Sequence, residues 1–85
     1  MTAKYLNPET KTGRVNITAL RLLEENPEGL RWVDLLAGIQ KSDPDLHPKT
    51  INGCVWKLLE NFPEKVYKPS KGLFRLLKYK DTELK

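Results

Sequence analysis

Apolar residues recur at helical spacing along most of this chain and at strand spacing near its end. Between Arg14 and Asn26, Val15, Ala19, Leu22 and Leu23 share one face, with Ile17 and Leu20 beside them. Steps of four, seven and eight predict a helix. Asn26-Pro27-Glu28-Gly29 ends it, because the residue before a proline avoids helical backbone and glycine suits the left-handed exit. Leu30-Arg31 reads as a short extended link. Trp32 to Gln40 or Lys41, with Leu35, Leu36 and Ile39 on one face, is a second helix, and Ser42-Asp43-Pro44-Asp45 is turn chemistry. A third helix is predicted over Pro48–Asn61. Pro48 fits its first position, His47 its N-cap, and Asp43 and Asp45 lie upstream near its positive end. Its buried stripe is Ile51, Val55, Leu58, Leu59 and Phe62, and Pro63 stops it.

Beyond Pro63 the period changes to two. Val66, Phe74 and Leu76 alternate with Lys65, Tyr67, Arg75 and Leu77 around Pro69-Ser70-Lys71-Gly72, the signature of a hairpin over 65–78. Residues 1–13 read as a polar, flexible leader in which Tyr5 and Leu6 are free to dock, and residues 80–85 as a flexible charged tail. The domain proper spans 14–79. The predicted fold is α+β, mostly α: a three-helix core followed by a C-terminal hairpin, with the short link between the first two helices.

Charge sharpens this picture. The chain has 85 residues and a net charge of +4. Residues 61–80 hold Lys65, Lys68, Lys71, Arg75, Lys78 and Lys80 against Glu64 alone, whereas the rest of the chain carries nine basic and ten acidic residues. Positive charge gathered on one ribbon beside helices is the footprint of a polyanion-binding surface. Protection of an edge strand by lysine explains one or two of these residues but not six.

Element order and three short segments together resemble a winged helix-turn-helix domain. The segments are the Gly29-Leu30 step, Pro48-Lys49-Thr50-Ile51 at the start of the third helix, and Lys68-Pro69-Ser70-Lys71-Gly72-Leu73-Phe74-Arg75-Leu76 at the wing. The G-x-F-x-L pattern at Gly72, Phe74 and Leu76 is similar to the wing of the HARE-HTH group and of winged helices fused to restriction endonucleases. The resemblance covers roughly residues 14–79. It implies double-stranded DNA binding, in transcriptional regulation or a DNA-processing system, with the third helix in the major groove and the wing on phosphates. Some winged helices bind proteins only, so a protein-interaction module is the alternative it implies.

The face of the third helix opposite its apolar stripe carries Lys49, Asn52, Gly53, Trp56, Lys57 and Glu60, with Thr50 near its start. Asn can bond an adenine edge, and Lys can reach guanine or a phosphate; an ordinary solvated face would look similar. Gly53 is costly inside a helix. Either another molecule approaches there, or the first or second helix packs close. Trp56 either packs under the wing, against Tyr67 or the stem of Arg75, or is exposed at a binding surface. Trp32 is expected in the core. On the wing, Lys71 leads as a phosphate contact, followed by Lys68, Ser70 and Arg75. RNA binding is a weaker reading, since the ribbon lacks the paired aromatics of a single-strand reader. The expected partner is therefore DNA, with a protein or a second copy as the further possibility.

Enzyme chemistry finds little footing. His47 and Cys54 are seven residues apart on one helix, about 10 Å along its axis, too far for a Cys–His pair and too few for a zinc site. Cys54 reads as a small core residue, and Glu24/Glu25 and Asp43/Asp45 as acids that are solvated or near helix ends. No phosphate-cradling glycine loop or nucleophile elbow appears. No cofactor, metal, catalytic residue or small-molecule substrate is expected. One cysteine cannot form an internal disulfide, which suggests a reducing, cytoplasmic compartment. A membrane partner is not expected: no apolar run approaches the ~20 residues that span a bilayer, the N-terminal residues show no apolar signal core, and neither end carries a lipidation motif.

Overall fold

The computed structural model describes residues 6–82. The elements are α1 (Lys11–Glu24), β1 (Leu30–Arg31), α2 (Trp32–Ser42), α3 (Pro48–Trp56), α4 (Leu58–Asn61), β2 (Val66–Ser70), β3 (Leu73–Leu76) and a 3₁₀ turn over Leu77–Thr82. The strands form one antiparallel sheet in the order β1-β3-β2. The chain is thus an α+β fold with its helices packed on one small sheet.

Helix α1 begins at Lys11, inside the segment expected to be a flexible leader. Thr10 is its N-cap: the hydroxyl accepts the Gly13 N–H at 2.9 Å and donates to the Asn7 carbonyl at 2.9 Å. Capping satisfies donors that the first turn leaves open. Leu6 packs on the core, whereas Tyr5 lies outside the described residues. This approach requires Gly13, because a Cβ there would fall 1.7 Å from the Asn7 carbonyl oxygen. Gly13→Ala is expected to push the 7–10 turn off α1 and to lower stability by about 1–2 kcal/mol. Urea unfolding tests this, and an unchanged midpoint would show that the turn is dispensable.

At the other end of α1, the Asn26 side chain donates to the Leu22 carbonyl at 2.7 Å. Gly29 takes φ +95°, and a Cβ there would lie 2.6 Å from the Phe74 carbonyl oxygen. The predicted left-handed exit is therefore also the place where the chain dives against β3. Leu30 pairs with Phe74 and Arg31 with Leu73, so the extended link is an outer strand of the sheet.

The turn between α2 and α3 is tied from both sides. Gln40 donates to the Leu46 carbonyl at 2.8 Å, and Arg14 Nε donates to Asp43 at 2.9 Å. Asp43 is accordingly paired rather than freely solvated. Leu46 is buried in this turn, a core position that no periodicity marks. His47 caps α3, its Nδ1 accepting the Lys49 N–H at 3.0 Å, and Pro48 opens the helix.

The predicted single helix over 48–61 is two helices. The Lys57 N–H donates to the Cys54 carbonyl three residues back, at 3.2 Å, and this tighter turn ends α3 at Trp56. Lys57 has φ −95° and ψ 5°, outside regular helix, and the chain restarts as α4. Val55, Leu58 and Phe62 are still all fully buried.

One core joins the layers. Val15, Ala19 and Leu23 of α1 meet Leu35 and Ile39 of α2, Ile51 and Val55 of α3, Leu58, Phe62, and Val66, Phe74 and Leu76 of the sheet. Each large apolar side chain buried this way contributes about 1.5–3 kcal/mol. The hairpin pairs Val66 with Leu76, Tyr67 with Arg75 and Ser70 with Leu73. Its register shifts between Tyr67 and Ser70, around Pro69, which cannot donate to a ladder and sits on the edge strand where that is tolerated. Strand β3 stops at Leu76, not at 78, and residues 77–82 turn into a 3₁₀ helix rather than trailing off. Tyr79 fastens that helix to α1, its hydroxyl donating to the Glu24 carbonyl at 2.7 Å.

Candidate functional site

The exposed side of α3 carries Lys49 and Gly53, and Lys57 at its C-cap continues the line at the same four-residue step, all three in solvent. With half-buried Thr50 and Cys54, and with Thr12 of α1, they line a shallow groove of about 470 Å³ that Glu60 and Asn61 close. Lysines bracket its middle and one carboxylate stands at its α4 end. Nothing lies within 4 Å of the position a Gly53 Cβ would occupy. The internal-packing account of this glycine is thereby excluded: neither α1 nor α2 needs it small. Cys54 packs partly on the core and partly forms the groove wall.

Asn52 and Trp56 lie toward the hairpin. The Trp32 indole N–H donates to Asn52 Oδ1 at 2.9 Å, so Asn52 keeps its amide N–H₂ for outside contacts but is not a free two-sided reader. Trp32 is half-buried against the core rather than within it. Trp56 is 46% exposed. Its partners are neither Tyr67 nor Arg75. The Trp32 ring lies 5.4 Å away at a tilt of 33°, and Phe74 meets it edge-on at 6.1 Å. Lys68 Nζ stands 5.3 Å from the Trp56 ring centre and 5.6 Å from that of Phe74.

The Trp32 backbone N–H donates to the Gly72 carbonyl at 2.8 Å and ties the turn to the start of α2. Lys71 and Ser70 remain exposed at that turn. Arg75, expected on a phosphate, is instead spent inside the protein. Its Nε donates to the Pro27 carbonyl at 2.6 Å, Nη1 to the Tyr67 hydroxyl at 2.9 Å and Nη2 to the Tyr79 carbonyl at 2.7 Å. A cross-strand position opposite Tyr67 and beside the Pro27 turn puts backbone acceptors within its reach.

The other basic residues divide in the same way. Lys78 pairs with Glu24, and that hydrogen bond raises the Lys78 ammonium above its usual pKa. Lys65 and Lys78 line a separate hollow of about 320 Å³ with Glu24 and Glu64, where charge is balanced. Glu24 is therefore engaged rather than idle, and Glu25 pairs with Arg21. Lys80 lies over the Tyr67 ring, 5.6 Å from its centre. That leaves Lys68 and Lys71 as the hairpin cations that stand with α3 and the start of α2. The site thus gathers Lys49, Thr50, Asn52, Gly53, Trp56, Lys57, Lys68, Ser70 and Lys71, and drops Arg75.

Thr12 and Trp32 are the members the sequence pattern missed. Thr12 sits in a stretch read as leader, and Trp32 reaches Asn52 across 20 positions that carry no spacing signal. Among the described residues no group of three or more His, Cys, Asp or Glu could hold a metal ion, and no helix is long and apolar enough to cross a membrane. The chain matches no family model, no curated protein and no solved structure.

Proposed function

We propose that the chain is a winged helix-turn-helix domain that binds double-stranded DNA through α3 and the β2–β3 hairpin. The element order, the interposed strand β1 and the sheet order β1-β3-β2 support the fold assignment. One observation carries the function: the α3 line has cations at Lys49 and Lys57 and an open, side-chain-free gap at Gly53 between them. A backbone running along that line meets two ammonium groups and can approach the helix closely at its centre. Lys71 and Lys68 extend the positive surface onto the hairpin. Asn52 and Thr50 border the line and present polar atoms toward base edges.

A protein-docking role centred on Trp56 fits less well. Centres of protein interfaces are poor in charged residues, whereas this site carries Lys49, Lys57, Lys68 and Lys71.

The test is the salt dependence of binding to a random-sequence duplex, followed by fluorescence anisotropy. With three to five phosphates neutralised, log affinity is expected to fall against log salt with a slope of roughly −3 to −4.5. Lys49→Gln with Lys57→Gln should flatten that slope by about 2. Absence of binding at low salt, or a slope indifferent to these changes, would remove DNA from consideration and return attention to a protein partner.

A further inference from the structure

Resting on the DNA-binding reading, we propose that Trp56 is a stacking platform for an unpaired base, so that the domain favours DNA with a frayed end, bulge or overhang over an intact duplex. The Trp56 indole is 46% exposed yet firmly held. Trp32 lies against it at 5.4 Å and the edge of Phe74 at 6.1 Å. The Trp32 ring is itself fixed by its bond to Asn52. Trp56 is therefore preorganised, and a ligand that stacks on it does not have to order it first.

What stacks there must be flat and anionic nearby. Lys68 Nζ hovers 5.3 Å from the ring centre, a weak contact at an exposed site and one that a flexible stem can give up. When a base takes its place over the indole, the ammonium remains beside that nucleotide's own phosphate, with Lys71 at the adjoining turn. The Asn52 amide N–H₂ has no other partner among the described residues and is available to a base carbonyl. A base inside a duplex cannot use this platform, because it shows only its edges in the grooves. An unpaired one can, since every base has a face to stack. The α3 line and the platform thus address different parts of one substrate: backbone along Lys49–Lys57, and an extrahelical base at Trp56.

The experiment uses the full chain and three fluorescent duplexes of two annealed strands: fully paired, with one unpaired thymine, and with an abasic nucleotide in place of that thymine. Binding about five- to tenfold tighter to the thymine form than to either of the others is expected. Trp56→Ala should erase that preference, whatever it does to the affinity for the fully paired duplex, and Trp56→Phe should retain part of it. The abasic comparison uses the unaltered protein, so misfolding of a variant cannot mimic the result. Equal, salt-dependent affinity for all three duplexes would overturn the platform and leave duplex binding standing. Absence of salt-dependent binding to any of them would overturn both.

Discussion

Replacing Arg75 by Met is expected to lower folding stability by about 3 kcal/mol, a larger effect than any other exposed or half-exposed basic residue should show. The guanidinium joins three segments: the Pro27 carbonyl after α1, the Tyr67 hydroxyl of β2 and the Tyr79 carbonyl of the 3₁₀ turn. Hydrogen bonds to a charged group contribute about 1.5–3 kcal/mol each. Because the residue is only half-buried and its bonds share one side chain, their sum is discounted to about 3 kcal/mol. In a domain of this size the melting temperature should fall by roughly 12–24 °C. Arg75→Lys should recover less than half of the loss, since one compact ammonium cannot reach the three acceptors that the planar fork of guanidinium donors spans. By contrast, Lys71→Met should stay within about 0.5 kcal/mol of the parent. Urea unfolding of the three variants decides the matter, and a loss below about 1 kcal/mol for Arg75→Met would mean that the clamp is not holding these segments.

Gly53→Ala should move stability and binding in opposite directions. Nothing within 4 Å obstructs the new methyl, so only helix propensity remains, and alanine exceeds glycine by about 0.8–1 kcal/mol inside a helix. The melting temperature should rise by about 4–8 °C. If DNA seats close to α3, as proposed, the same methyl enters the contact and affinity falls about tenfold, equivalent to 1.4 kcal/mol. Core and interface substitutions usually lower both quantities together, which makes the split diagnostic. A variant that is more stable and binds as well as the parent would keep the lysines at a distance from DNA and deny close approach at Gly53.

Much of the fold was legible because local chemistry and periodicity agree. Val15, Ala19, Leu23, Ile51, Val55, Leu58 and Phe62 fall on helical faces and are buried, and Val66, Phe74 and Leu76 alternate into the sheet. Pro48 after His47 marks a helix start, and Gly29 marks a left-handed exit. What stayed hidden depends on partners far apart in sequence or on backbone atoms, which have no letter. Arg75 looks like any hairpin cation until Pro27, 48 positions earlier, is folded against it. The Lys57 break is a change of one hydrogen bond, from the fourth residue back to the third, with no proline to announce it. Leu46 stands alone between turn residues, so no period can place it inside. The candidate site divides along the same line. Residue types on α3 could be read from helical spacing, whereas the pairing of Trp56 with Trp32 and Lys68 required the tertiary fold.

The early end of α3 sets how long a word one copy of this domain could read. Nine residues, Pro48–Trp56, rise only about 13.5 Å at 1.5 Å each. At 3.4 Å per base pair, that is about four base pairs of major groove. A four-letter word recurs by chance roughly once in 250 positions, so a genome offers an enormous number of equivalent sites. On the DNA-binding reading, a lone copy is therefore a vocabulary of one short syllable. Any address longer than that has to be spelled by a neighbouring copy, or by the form of the DNA rather than its letters.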